Sequence, residues 1–382
     1  MSIIAEEVLT GKSVSVLIEA QSYSMVQSDQ SPVAGVYLSP GWVDIQVNGF
    51  AGVNLSEEGL RVEDVQSMNA RLRQEGIAAW CPTLVTAPSH QIQTNLRTIA
   101  TACELDPALE VAIPGFHLEG PYISPEDGAR GAHPLNHVRP PDWDEFLRWQ
   151  EAARGRIRLV TLAPEQPGAM EFIRQAVRTG IVVAIGHTAA STSVLMEAVD
   201  AGASLSTHLG NGIASKLHRH ENPLWYQLAD DRLFASLIFD GFHLPANVMR
   251  VFLRAKGIEH CVLVSDAVSL ARMPAGVYQS PIGGKVELHE NGRLSLYGTE
   301  YLAGSASSLK DCIEVAVRVA GCTLAQAVQM ASLNPWRVLN LPRTDDFTLF
   351  RWDPQASKLE ILALIQSQKV TYVNRTSLAD KA

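Results

Sequence analysis

Phe116-His117-Leu118-Glu119-Gly120-Pro121 is the stretch on which the fold turns, with Gly131-Ala132-His133-Pro134 close behind it. It continues an apolar run that includes Val111-Ala112-Ile113, so a carboxylate stands at the end of an expected buried strand, where Gly-Pro breaks the backbone. Burying that charge costs several kcal/mol unless a cation or hydrogen-bond donors offset it. The same pattern recurs downstream: His187 and His208 close apolar runs, and Asp266 closes another. What the chain does depends on whether these four residues meet.

Working outward, eight apolar runs have β character: residues 43–47, 78–85, 111–118, 157–162, 181–185, 203–207, 234–239 and 261–264. Helical periodicity lies between most of them, as in residues 63–74 and 193–201, with apolar residues at three- and four-residue spacing. Near-continuous apolar strands alternating with helices predict a parallel sheet covered by helices. Eight such units in about 300 residues fit an α/β chain of the (β/α)8 TIM-barrel type. The alternative is an open doubly wound sheet, but no glycine-rich phosphate loop follows the first strand. Residues 1–39 read as short strands, and residues 343–382 as a hairpin about Asp353-Pro354-Gln355-Ala356 followed by one more strand. The expected organisation is therefore a barrel over 40–342 and a small β domain, a β-sandwich, built from 1–39 and 343–382.

The 382 residues are 46% hydrophobic and 19% charged, which excludes a disordered chain. A net charge of -9 argues against nucleic acid or an anionic membrane as a partner. Five scattered cysteines, Cys81, Cys103, Cys261, Cys312 and Cys322, form no CxxC pair. They read as reduced, buried thiols in a cytoplasmic protein. The N-terminus has no basic start followed by an apolar core, so no signal peptide is expected, and no run reaches the ~18 apolar residues of a membrane span.

A barrel places catalytic groups at the C-terminal ends of its strands. Glu119, His187, His208 and Asp266 all fall there, as do Gln46, Asn48, Asp240 and His243. Two imidazoles and a carboxylate form a catalytic Zn2+ ligand set with one open position. A lone strand-end histidine is more often structural, so the weight lies in the combination. Asp266 reads either as a helix N-cap or as a general base beside the metal. His133 and His243 read as loop histidines or substrate contacts. His117 reads as structural or supporting, and His218 and His220 as a solvated loop or the rim of an anion site.

The chain resembles the N-acetylglucosamine-6-phosphate deacetylases of the amidohydrolase superfamily. The matching segments include Pro40-Gly41-Trp42-Val43-Asp44, His117-Leu118-Glu119-Gly120-Pro121, Gly131-Ala132-His133, Leu162-Ala163-Pro164-Glu165, Gly186-His187-Thr188, Thr207-His208-Leu209, Asp240-Gly241-Phe242-His243, Ser265-Asp266-Ala267, Leu302-Ala303-Gly304-Ser305 and Leu333-Asn334-Pro335. The resemblance implies Glu119, His187 and His208 as metal ligands and Asp266 as the catalytic acid/base. It implies that His133 contacts the acetamido carbonyl and His243 a sugar hydroxyl, with Asn211, Gly212 and Ala303 also at the substrate. It implies a homodimer acting on a small N-acetyl amino sugar, with acetate and the amino sugar as products.

Two departures stand out. Many amidohydrolases carry His-x-His at the end of the first strand, supporting a second metal; here the positions are Gln46-Val47-Asn48. Neutral amides are poor Zn2+ ligands, so one divalent ion is expected, Zn2+ first, with Fe2+ or another ion as alternatives. After the sixth strand, the arginine that would hold a 6-phosphate aligns with His220, and Arg219 is displaced by one. The expected substrate is N-acetylglucosamine 6-phosphate, held by Arg219 and His220; the alternative is an unphosphorylated N-acyl amino sugar or another small N-acyl compound.

Overall fold

Side chains that alternate along parallel strands set the architecture. The structure, a computed structural model, describes residues 2–19, 22–280 and 284–374. Eight strands follow one another in chain order and are numbered here as barrel strands: β1 Trp42–Val47, β2 Ile77–Val85, β3 Phe116–Glu119, β4 Ile157–Leu162, β5 Val182–Ile185, β6 Leu205–Ser206, β7 Phe234–Ile238 and β8 Cys261–Val264. Each pairs in parallel with the next. The ring closes between β8 and β1, where Asp266 N donates to Gln46 O at 3.0 Å and Asn48 N donates to Ala267 O at 2.9 Å. Closure of the barrel thus fixes the backbone of Asp266 itself.

The barrel interior is layered. Val43, Ile45, Ala79, Cys81, Leu159, Val182, Ala184, Leu205, Ile238, Val262 and Val264 fill the lower part. One step up on the same strand faces come Thr83, His117, Thr161 and Thr207, because side chains two apart share a face. They form a buried polar floor: His117 Nε2 meets Thr161 Oγ1 at 2.8 Å, which meets Thr207 Oγ1 at 2.7 Å. His117 Nδ1 donates to Ile45 O at 3.2 Å, so this histidine is structural and supports the layer above. The next step up on β3 is Glu119. The outer strand faces pack under the helices in one continuous apolar cluster that includes Trp80, Phe116, Trp149 and Phe172.

Both termini contribute to a single seven-stranded sheet. Its order is 369–373, 358–366, 347–353, 36–40, 2–7, 13–19, 22–27. Strand 36–40 pairs with 347–353 and runs almost directly into β1, so the sheet and barrel share a seam. Thr348 Oγ1 donates across that seam to Gly76 O at 3.0 Å.

One local expectation changes, and one element appears that the sequence reading did not include. The apolar run at 111–113 is not strand: Pro107–Ala112 is a short helix, and the strand begins only at Phe116. Asp106 caps that helix by accepting from Ala108 N, and Pro107 occupies its first turn, so a capping signal outweighs the run's β-branched residues. Between β8 and the last helices an antiparallel three-stranded sheet intervenes, Gly276–Ser280, Gly284–Leu288 and Leu294–Leu296. Its last strand bridges to Leu302 and carries residues 300–304 over the top of the barrel.

Asp44 on β1 is fully buried and accepts hydrogen bonds from Gln46 N at 3.3 Å and Ser265 N at 3.2 Å. Burial pushes its pKa up to about 7; these hydrogen bonds oppose the rise and the charge of Asp266 adds to it. The folded chain therefore keeps a proton that the unfolded chain has lost between about pH 4 and pH 7, so stability falls as pH rises through that window. In Asp44→Asn the urea midpoint is expected to fall less than in the native chain between about pH 5 and pH 8. Parallel curves would remove Asp44 as the cause.

Candidate active site

The strand ends converge on a cavity of about 390 Å3 lined by Glu119, His133, His187, His208, Asn211, Gly212, His243, Asp266 and Ala303, among others. A larger cleft of about 670 Å3 lies between the terminal sheet and helix Leu324–Val338, far from these groups. Chemistry and not size marks the site.

Glu119 Oε1 lies 3.1 Å from His187 Nε2 and 2.8 Å from His208 Nε2, and the two Nε2 atoms are 3.1 Å apart. His187 Nδ1 donates to Ala129 O at 2.9 Å, which fixes its tautomer and turns the Nε2 lone pair towards the other two atoms. Three acceptor-type atoms thus crowd one point with too few protons to share. A cation at that point satisfies all three. Tetrahedral Zn2+ with bonds of about 2.0–2.1 Å separates its ligands by roughly 3.3 Å, close to the spacings here. The donor set fits a divalent ion. His133 also brings a donor atom within 4.8 Å of Glu119 and His187. The tighter set is the one with His208, whose Nε2 lies 2.8 Å from Glu119 Oε1 and 3.1 Å from His187 Nε2, while His133 Nδ1 is engaged by Thr86 Oγ1 at 2.8 Å.

The backbone is strained where the side chains turn inward. His187, His208 and Asp266 have φ of +50°, +28° and +49°. Non-glycine residues rarely adopt such angles, and they cluster at functional sites. Surrounding contacts hold them there. Glu165 accepts from Thr188 Oγ1 at 2.6 Å and Ala189 N at 2.7 Å, pinning the turn after His187. A Cβ on Gly212 (φ +59°) would sit 2.8 Å from His187 Nδ1, so only glycine packs there. His187 also stands edge-on to His133 and His208, with ring centroids 4.4 and 4.8 Å away.

Asp266 starts no helix, and its N-cap reading falls away. Its Oδ1 accepts from Gln46 Nε2 at 3.0 Å and Asn48 Nδ2 at 2.6 Å. The two amides that interrupt the His-x-His pattern are thus anchors for the carboxylate. Burial, then the charge of Glu119, pushes its pKa up to about 6, against the pull of His208 and the Asn48 bond. Burial works against the charge of Glu119, but the His187 and His208 side chains against it hold its pKa well below the usual range. His133 is driven the other way, to about 3, first by burial and then by His187, and is therefore neutral. Asp240 accepts from His243 Nδ1 at 2.7 Å. Burial opposes its charge, yet that bond and the nearby backbone N–H groups keep its pKa low.

Not every expected substrate residue lies here. Arg219 and His220 are exposed in the segment after β6, outside the cavity lining. Among the described residues no lysine or arginine lines the cavity, whereas Glu300 and Tyr301 do. Sequence reasoning passed over these two, along with Thr86 and the anchoring role of Gln46 and Asn48. The signal for the amides was present: two polar side chains, two apart, at a strand end.

Fold and site together define a (β/α)8-barrel hydrolase with its reactive groups at the C-terminal strand ends. The amidohydrolase family model matches residues 37–344. An N-acetylgalactosamine-6-phosphate deacetylase of Escherichia coli O157:H7 is 35% identical over 80% of this chain and 78% of its own length. The N-acetylglucosamine-6-phosphate deacetylase of Bos taurus is 35% identical over 83% of this chain and 78% of its own. The crystal structure of N-acetyl-D-glucosamine-6-phosphate deacetylase from Mycobacterium smegmatis superposes with a TM-score of 0.83 at 28% identity, covering 97% of this chain and 100% of that one. The chain belongs to the amidohydrolase family, in its N-acetylglucosamine-6-phosphate deacetylase branch.

Gly120, with φ of +79°, has no room for a side chain: a Cβ would lie 2.3 Å from Thr86 Oγ1, the atom that holds His133. Gly120→Ala is expected to cost about 1–3 kcal/mol in urea unfolding. An unchanged midpoint would show that the turn tolerates the methyl group.

Proposed function

We propose that the chain removes the acetyl group from an N-acetyl amino sugar 6-phosphate, N-acetylglucosamine 6-phosphate first among them. The reading rests on the meeting of Glu119, His187 and His208 at one point beside Asp266, in a chain whose relatives are named for this reaction. Glu119, His187 and His208 hold one divalent ion, with Zn2+ the expected occupant. When bound, that ion supplies Lewis acidity to the water and carbonyl at the site.

The chain's own residues do the rest. Asp266, held through Oδ1 by Gln46 and Asn48, takes a proton from the attacking water. It returns that proton to the departing amine. His133 is neutral and meets Thr86 Oγ1 through Nδ1; with that hydroxyl donating to Nδ1, its Nε2–H donates to the carbonyl oxygen as negative charge builds there. His243, Asn211, Gly212 and Ala303 bind the sugar. A cytoplasmic homodimer belongs to the same reading, and light scattering at the monomer mass would remove the dimer.

Asp266→Asn is expected to keep its metal and lose about 10²–10⁴-fold in kcat, the usual contribution of a general base. Glu119→Gln and His208→Ala are expected to lose the metal itself, read by elemental analysis of purified protein. Full turnover in Asp266→Asn, or full metal content in the other two, would break these assignments. Asp266 acts as a base only when ionised, so turnover falls as pH drops through its pKa. That value is about 6 without a cation nearby, and a bound cation draws it lower. The acid limb of kcat is thus expected at or below about pH 6 and to vanish in Asp266→Asn.

The unphosphorylated substrate is a second reading, favoured by the absence of any lysine or arginine lining the described cavity. A phosphate carries about -1.5 to -2 charges and is normally met by arginine. Metal-quantified protein assayed on N-acetylglucosamine and on its 6-phosphate separates the two. A kcat/KM at least about tenfold higher for the phosphate supports the first and the reverse supports the second. Hydrolysis of neither removes both.

A further inference from the structure

Asp240 and His243 form a buried pair whose aspartate has no part in the proposed chemistry. Asp240 follows β7 and is 6% exposed; the His243 side chain is 11% exposed and lines the cavity. The two carboxylate oxygens have separate partners. Oδ1 accepts from the backbone N–H groups of Phe242 at 2.8 Å and His243 at 2.9 Å, closing the turn. Oδ2 accepts from His243 Nδ1 at 2.7 Å. An ionised carboxylate only accepts, so Nδ1 must carry the proton. In the neutral ring, Nε2 is then the acceptor.

We propose that Asp240 is a positioning residue that fixes His243 as the Nδ1–H tautomer and presents Nε2 to the cavity as an acceptor for a substrate hydroxyl; the ligand class rests on reading the cavity as an amino-sugar site. The carboxylate acts through the imidazole and touches no substrate. Its division of labour gives the amide variant a defined outcome. In Asp240→Asn, only the side-chain oxygen can accept from the two backbone N–H groups, so it stays on the turn. The NH2 group is left facing His243 Nδ1 and donates to it. The ring proton must move to Nε2, which becomes a donor, while size and turn are preserved. The same exchange of an aspartate for its amide reverses the histidine tautomer in serine proteases.

Two measurements test this on the metal-loaded protein. The first is 15N NMR of histidine-labelled protein at alkaline pH, where imidazoles are neutral, with His243→Asn to assign the resonances. The native ring is expected to carry its proton on Nδ1, and the Asp240→Asn ring on Nε2. The second uses substrate analogues in which each ring hydroxyl in turn is replaced by fluorine, which cannot donate. At one ring position the native enzyme is expected to lose about tenfold in kcat/KM, the worth of one hydrogen bond, and Asp240→Asn to lose that discrimination. A merely structural aspartate would change neither tautomer nor discrimination. A native Nε2–H tautomer, a proton that stays on Nδ1 in Asp240→Asn, or equal fluorine discrimination at every position would overturn the proposal. If the native chain hydrolyses no N-acetyl amino sugar, the substrate reading fails by itself, and the nitrogen shifts still decide the tautomer.

Discussion

Three side-chain atoms that cannot satisfy one another hold the centre of this protein. Glu119 Oε1 and the Nε2 atoms of His187 and His208 lie 2.8–3.1 Å apart in a place water scarcely reaches. A hydrogen-bonded cluster would need alternating donors and acceptors, and the Ala129 carbonyl denies it one by taking the His187 proton. Such an arrangement persists only when the surrounding structure enforces it. The enforcement is visible: positive φ at both histidines, Glu165 on the turn beyond His187, and Gly212 against the His187 ring. The surrounding fold thus fixes the geometry of the cluster, which is what a preorganised metal site requires.

The barrel makes this possible through the two-residue period of its strands. Thr83, His117 and Thr161 lie one step above an apolar fill, and Glu119 one step above His117. The polar floor satisfies its own hydrogen bonds, so it can be buried without penalty while isolating the charged layer from the apolar one. Asp266 sits one step beyond Val264 on the strand that closes the ring, where its backbone N–H bonds to Gln46 O and its side chain to the Gln46 and Asn48 amides. A cationic anchor in place of those amides would depress the Asp266 pKa. Neutral amides orient the carboxylate and leave its affinity for a proton high.

This layering explains what the sequence discloses. Strands buried on both faces read as apolar runs, and the polar residues that end them, Glu119, His187, His208 and Asp266, stand out against those runs. The strands at 157–162 and 261–264 match their expected limits for that reason. The misread run at 111–113 shows the limit of the method: three apolar residues suit a buried helix turn as well as a strand, and only the Asp106-Pro107 cap decides. The sheet over 276–296 is half exposed, so its pattern is weak, and its importance lies in bringing Tyr301 and Ala303 to a cavity far away in sequence. The anchoring of Asp266 by Gln46 and Asn48 spans more than 200 residues and belongs to barrel closure, which no local pattern records.

The two ends of the cavity are therefore built by different rules. The reactive end is assembled from strand termini whose positions are fixed by the sheet, so a one-residue shift would invert every inward side chain. The segments beyond it are loops, where a residue such as His220, exposed and outside the cavity lining, disturbs no core packing. Selection for a new substrate can act there without touching the barrel. Asp240 and His243 stand between the two: His243 lines the cavity, yet its ring is hydrogen-bonded to a carboxylate buried at the end of β7. A side chain anchored in that way resists drift in the loops, so any substrate group met there should be the part that changes least when the distal group is exchanged.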